Sequence, residues 1–267
     1  MLKRFLLCAF LLTAAFRASA TDYTDLYYVP GEEGWGFNVV QSDSFLFLTF
    51  FIYGPDNKPT WYTAQLTFDS SGNYNGKLYA TTGTYYAMPW SVPDSSIIEV
   101  GTASFQPTSA YTAKLIYVVT KPANLAATVT KAVRRQTLTK ITLDATYVGG
   151  QSGALSGSNC GNAGPYTDTF DLVVTQPGDG TVTFTFDYNV LQSECKLSGT
   201  PTQFGQLYTM PATTYKCTAY SDGHTTLNTN ASMSEIKATS LGIEAKFSAP
   251  DVGGGCAEAA AFSAVLR

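Results

Sequence analysis

The side chains able to do chemistry in this sequence are few and scattered. Its single histidine, His224, sits in the turn-like stretch "YSDGHTT", and no G-x-S-x-G elbow supplies a nucleophile to go with it. A Ser-His-Asp arrangement would have to use that histidine, whose surroundings read more simply as a solvated loop. One histidine also excludes His-rich zinc sites, and the cysteines lack the C-x-x-C spacing of structural zinc. Glycoside hydrolysis needs two carboxylates flanking the bond, for which Glu32 with Glu33 and Asp168 with Asp171 are the offers. The second pair reads more simply as a turn cap and a solvent-facing strand residue. "DVGGGC" has neither the lysine nor the helix of a phosphate loop. No catalytic residue, metal ligand or cofactor is assigned.

The aromatic residues are the better lead. Trp61, Tyr62, Tyr85, Tyr86 and Trp90 fall at strand ends or in loops, where ring faces stack on sugars or cap an apolar pocket. They are the candidate ligand-binding residues. The competing reading makes them closures of a barrel end or cement between two halves of the chain.

Helical periodicity is nearly absent, and alternation of apolar and polar residues is widespread. Trp35, Phe37 and Val39 share one face of an opening strand. The runs "SFLFLTFFIYG", "TWYTAQLTF", "NYNGKLYAT", "IIEVGTASF", "AYTAKLIYVV" and "ATVTKAVRR" follow, and Tyr23 to Val29 offers an eighth strand. Turns of two to six residues join most of them, the pattern of an antiparallel meander. The second half adds "KITLDATYV", "TVTFTFDY", "CKLSGT", "TYKCTAY", "LGIEAKFSA" and "AAFSAVLR". Consecutive short strands remove their edges most simply by closing, so the expected fold class is all-β, with two antiparallel meander barrel-like domains. The expected division is 21–137 and 138–267. "FLFLTFFIY" is apolar on both faces, which predicts that the second domain packs over it.

Residues 1–20 read as a secretory signal peptide. Lys3 and Arg4 open it, an apolar run follows, and Ala18-Ser19-Ala20 offers small residues for cleavage. Removing that segment takes the Lys plus Arg count from 16 to 13, against 20 Asp plus Glu. An acidic chain with one basic doublet, Arg134-Arg135, is a poor nucleic-acid binder. The apolar run is too short to span a bilayer, and no later segment reaches the necessary length. Four cysteines remain, and an even number in an exported chain favours disulfides. Cys195 and Cys217 sit on apolar strand faces while Cys160 and Cys256 lie in Gly-rich loops, so the expected pairs are Cys195–Cys217 and Cys160–Cys256.

"EEGWGFNVVQ", "FFIYGPDNKPTWYT" and "GKLYATTG" together resemble an uncharacterised β-rich domain of exported proteobacterial proteins, with its E-x-G-W-G-x-N and Y…P-x-W-Y motifs. The matching positions are Glu33, Gly34, Trp35, Gly36, Asn38, Gln41, Tyr53, Pro59, Trp61 and Tyr62. The usual serine between Glu and Gly is missing. The resemblance covers roughly residues 27 to 136 and implies bacterial export and β architecture, but no activity. A looser likeness is to calycin barrels, in which an early tryptophan packs beneath a basic residue of the last strand. That likeness casts Trp35 as a structural plug with Arg134 or Arg135 over it. Arg135 is the choice, because it shares the inward parity of Val129 and Val133.

The reading that fits best is an exported, periplasmic or secreted, non-enzymatic binding or interaction module. Its partner classes are a glycan, a small apolar ligand or another protein. A carboxylate-dependent glycoside hydrolase is the enzymatic alternative, and a small outer-membrane-associated barrel is the third.

Overall fold

Strand geometry sends successive side chains to opposite faces, so a chain of alternating strands must find cover for one whole face. The computed structural model describes residues 20–267, and in it the chain achieves this by closing twice. The expected leader, residues 1–20, lies outside the described residues except for Ala20. The first barrel comprises β1 (Asp25–Tyr28), β2 (Gly36–Ser42), β3 (Phe45–Tyr53), β4 (Pro59–Phe68), β5 (Tyr74–Thr82), β6 (Ser96–Pro107), β7 (Thr112–Val119) and β8 (Ala127–Arg135). Each strand pairs antiparallel with the next, and β8 closes on β1 through Tyr27 opposite Arg135. The inward positions form one packed core in which Tyr27, Phe37, Phe50, Phe105 and Leu48 are fully buried.

The second barrel contains β9 (Ala145–Ser156), β10 (Gly164–Thr175), β11 (Val182–Tyr188) and β12 (Ser193–Gly199). The short β13 (Thr202–Phe204) pairs with β14 (Leu207–Ala219), and β15 (Thr225–Ala238), β16 (Gly242–Ala249) and β17 (Ala257–Leu266) complete the wall. Closure comes from β17 against β9 and from β12 against β14, where Cys195 stands directly opposite Cys217. Those two cysteines are bonded, as are Cys160 and Cys256. Phe170, Phe184, Phe186, Phe262 and Met210 are buried in its core.

Sequence alternation missed three strands here, β10, the short β13 and the Thr-, Ser- and Asn-rich β15. In β15 the disguise is a β-bulge between Ser234 and Lys237, with Glu235 at φ 50°. A bulge shifts the inward set by one residue. Accordingly Ala231 and Met233 face inward before it and Ile236 after it.

The barrels meet end to end. At the junction the Gln206 N–H donates to Asp25 Oδ2 (3.0 Å), the Glu235 N–H donates to the Tyr111 hydroxyl (2.8 Å), and Lys237 pairs with Asp22 (3.1 Å). Gly205 is required there: at φ 60°, a Cβ on it would come within 2.0 Å of Asp25 Oδ2. This corrects the expectation that the second barrel covers the outer face of β3, where Phe51 and Tyr53 remain exposed.

The pairing of Trp35 with Arg135 is also corrected. Trp35 is only half-buried, and the cation over its ring is Lys131, at 5.7 Å, itself bonded to Glu32 at 2.7 Å. Arg135 does point inward, but over Tyr27, while Arg134 lies over Tyr28. The register explains the difference. Tyr28 stands opposite both Gly36 and Arg134, so Trp35 falls level with Val133. The next inward cation beyond that level is Lys131, and Arg135 lies one step the other way.

Candidate functional site

An up-and-down barrel has two ends, and the loops at each end are contributed by alternate turns. In the first barrel one end is occupied by the second barrel. The opposite end carries the loops Val29–Trp35, Gly54–Lys58, Gly83–Ser95 and Thr120–Ala126. Four of the five aromatic candidates are exposed at this end. Trp61 projects from the outer wall, edge-on to Phe51 with ring centroids 5.4 Å apart. Tyr85 and Tyr86 pack on each other at 4.6 Å in the loop before β6, and Trp90 lies in the same loop. Thr84 pins that loop, its hydroxyl accepting from the Ser91 N–H at 2.8 Å and donating to the Ser91 carbonyl at 3.1 Å. Tyr86 is 91% exposed and Trp90 69%, so these rings form an open fringe. Tyr62 does not join them; it belongs to the core of the barrel.

The second barrel is different, because its far end is open. There a cavity of about 910 Å³ enters the barrel between the ends of β9, β11 and β14 and the starts of β10, β12, β15 and β17. Its walls are apolar, contributed by Leu155, Val190, Leu191, Leu227 and Val252. Its floor is polar. Tyr188 donates to Gln151 Oε1 at 2.7 Å, Gln151 Nε2 donates to the Tyr166 hydroxyl at 3.4 Å, and that hydroxyl donates to Glu258 Oε1. Each donor points to the next, and the relay ends on a carboxylate. Gly153 makes the arrangement possible: a Cβ there would meet the Tyr166 ring at 2.7 Å. The Cys160–Cys256 bond ties the β9–β10 loop to the segment just before β17, beside Glu258.

Electrostatics sharpens the picture. Glu258 is 8% exposed, and burial pushes its carboxyl upward from the ordinary value, an effect partly offset by the Tyr166 hydroxyl. Burial, and then the charge of Glu258, pushes the Tyr166 and Tyr215 hydroxyls up as well. Glu258 Oε2 has no hydrogen-bond partner among the described residues. Thr213 Oγ1 is the one fully enclosed side-chain polar atom there without a partner, so Oε2 is open to the cavity. Asp168 also lines the cavity but is committed elsewhere. Its oxygens accept the N–H groups of Thr169 (2.7 Å), Val190 (3.0 Å) and Leu191 (3.0 Å), which fixes the β11–β12 turn.

None of the aromatic candidates named from the sequence lines this cavity. The signal that could have found it is parity: Glu258 alternates with Ala260, Phe262 and Ala264, all inward-facing, which places a carboxylate inside a barrel. Among the described residues, no group of three or more His, Cys, Asp or Glu is placed to hold a metal ion. His224 lies in the exposed β14–β15 loop, bonded to Asp222.

The site and fold together define a protein of two closed eight-stranded antiparallel barrels, one filled and one open at its outer end. No family model matches the chain, so the motif resemblance noted above has no family model behind it. No curated protein matches it either. Two solved structures align with it loosely. Transferrin binding protein B, isotype 1, from serogroup B Neisseria meningitidis aligns at 13% identity and a TM-score of 0.32. That alignment covers 88% of this chain and 66% of the other, just under two thirds of its length. A protein of unknown function from the DUF3598 family of Nostoc punctiforme aligns at 10% identity and a TM-score of 0.24, covering 91% and 93%.

Proposed function

We propose that the chain is a non-enzymatic binding protein that takes a small, largely apolar molecule into the open end of the second barrel. The observation that carries this reading is the cavity of about 910 Å³, with apolar walls and one convergent polar floor. That size and lining match the usual small-molecule site. Two disulfides support an exported setting, periplasmic or secreted, because such bonds persist under oxidising conditions. The barrel interiors are packed with apolar side chains, the reverse of a membrane barrel, whose interior is polar and whose outer band is apolar.

The enzymatic alternative has one observation in its favour, since Asp168 and Glu258 line the same cavity. A hydrolase would use the raised carboxyl as acid and the other as nucleophile or base. Asp168 is unsuited to that second role, because three backbone N–H groups already occupy its oxygens. The fringe of Trp61, Tyr85, Tyr86 and Trp90 is the surface left for a glycan or protein partner.

The test is saturable binding of N-phenyl-1-naphthylamine, a dye uncharged at neutral pH whose emission rises in apolar sites. Ala219→Trp, which fills the cavity mouth, should abolish the signal, whereas Trp90→Ala at the fringe should leave it unchanged. Dye bound equally by all three proteins would refute the cavity as the site. Turnover of a nitrophenyl glycoside that is lost in Asp168→Asn would favour the hydrolase.

A further inference from the structure

The proposed binding reading leaves the chemical class of the ligand open, and the floor of the cavity narrows it. The lining includes two carboxylates and four tyrosines, Tyr166, Tyr188, Tyr215 and Tyr220, but no Lys, Arg or His. A buried carboxylate without a cation is costly, and proteins ordinarily meet that cost with an ion pair. Here the relay from Tyr188 through Gln151 and Tyr166 delivers one hydroxyl to Oε1 and leaves Oε2 facing the empty space. Tyrosine side chains line the space around it, and an aromatic face attracts a cation. Asp168, tied to its turn, adds negative potential at the same end.

Resting on the binding reading above, we infer that the ligand is an organic cation: an ammonium group seated on Glu258 among Tyr166, Tyr188 and Tyr215, with an apolar body against Leu155, Leu191 and Leu227. An ammonium supplies the missing counter-charge and donates to the free Oε2. A carboxylate ligand would bring a third negative charge into a space that has no positive one. A neutral alcohol would gain the apolar contacts and an ordinary hydrogen bond, without the charge.

Displacement of N-phenyl-1-naphthylamine by three ligands that differ only in the head group tests this: decylammonium, decan-1-ol and decanoate, at pH 7.5 and 0.15 M salt. Decylammonium should bind about tenfold to a hundredfold more tightly than decan-1-ol, the range expected for a charge-assisted hydrogen bond in a buried site. Decanoate should be weakest. In Glu258→Gln the ammonium should fall to within about threefold of the alcohol, while the alcohol affinity itself holds and so reports an intact cavity. The comparison of head groups on the unaltered protein stands even should that variant fail to fold. Dye bound, but with all three ligands equal or decanoate tightest, overturns the cation and leaves the binding reading standing. Neither dye nor any of the three bound overturns both.

Discussion

Arg135 is the side chain whose removal should cost the fold most for one change of charge. Its guanidinium is 1% exposed and pairs with Asp25, 5% exposed, at 3.1 Å. It also donates from Nε to the Ala110 carbonyl at 2.8 Å, and from its other nitrogens to the carbonyls of Thr24 (3.2 Å) and Asp22. Four acceptors from two segments, residues 22–25 and Ala110, thus converge on one cation where the barrels join. Arg135→Met keeps most of the volume and removes the charge. Breaking one side of a buried pair costs about 3–5 kcal/mol, because the other charge is left stranded. Asp25 would still accept the N–H groups of Leu26 and Gln206, which places the cost near the lower end, about 3 kcal/mol. For a chain of this size that is a fall of roughly 6–12 °C in melting temperature, readable by circular dichroism. Adding Asp25→Asn should recover part of the loss, since the stranded charge goes with it. Lys131→Met, at the partly exposed pair with Glu32, should cost under about 1 kcal/mol. Should Arg135→Met melt within about 2 °C of the parent, the pair is not what joins the barrels.

Removing both cysteines of Cys160–Cys256, which closes 96 residues, should cost more than removing Cys195–Cys217, which closes 22; loop entropy gives about 4.7 against about 3.4 kcal/mol, measured by urea unfolding. Glu258 titrates upward of its ordinary 4.5, so its protonated form favours the fold fully below that value, and the benefit is lost as pH rises through the folded value. Glu258→Gln should therefore match the parent at about pH 4 and melt increasingly above it as pH climbs; the tyrosines facing it, all pushed upward, stay neutral across that window. Trp35→Ala, at a half-buried ring edge-on to Phe37, should cost roughly 2 kcal/mol, less than a fully enclosed tryptophan, and leave dye binding in the second barrel untouched.

Most of the wall was legible because a strand's period is two. Reading "TVTFTFDY" suffices to send Val182, Phe184, Phe186 and Tyr188 inward, and all four are buried. The inward direction of Arg135 was legible for the same reason. Its partner was not, since parity says which face a residue occupies and nothing about which strand level it meets; that depends on how β8 registers against β1. The cavity was invisible for a related reason. It arises from side-chain sizes at the ends of several strands distant in sequence, and only register sets Tyr166 opposite Gly153 and Glu258 opposite Leu155, two residues further along β9. The aromatic residues drew attention because large rings are conspicuous in a sequence, whereas the site is marked by a glycine, an amide and one acid in an alanine-rich run.

Why one barrel is full and the other open follows from what each places at its outer end. The first carries Ile52, Tyr62, Tyr117 and Val119 there, bulky side chains that fill the narrowing space, with Trp35 and its Lys131–Glu32 pair over them. The second carries the small Ser193 and Ala219, opposite each other, at its outer end, and the cavity opens there. Packing alone would favour filling that space, since interiors tend to native density and a buried, unpaired carboxylate adds a further cost. The disulfide between Cys160 and Cys256 braces the wall beside this gap, offsetting some of the stability that the missing side chains would have supplied. Under the proposed function, the unfilled end, the acid within it and the covalent brace beside it are arranged around a ligand that enters. The proposed ammonium group would answer the buried carboxylate of Glu258, for which the cavity lining holds no cation.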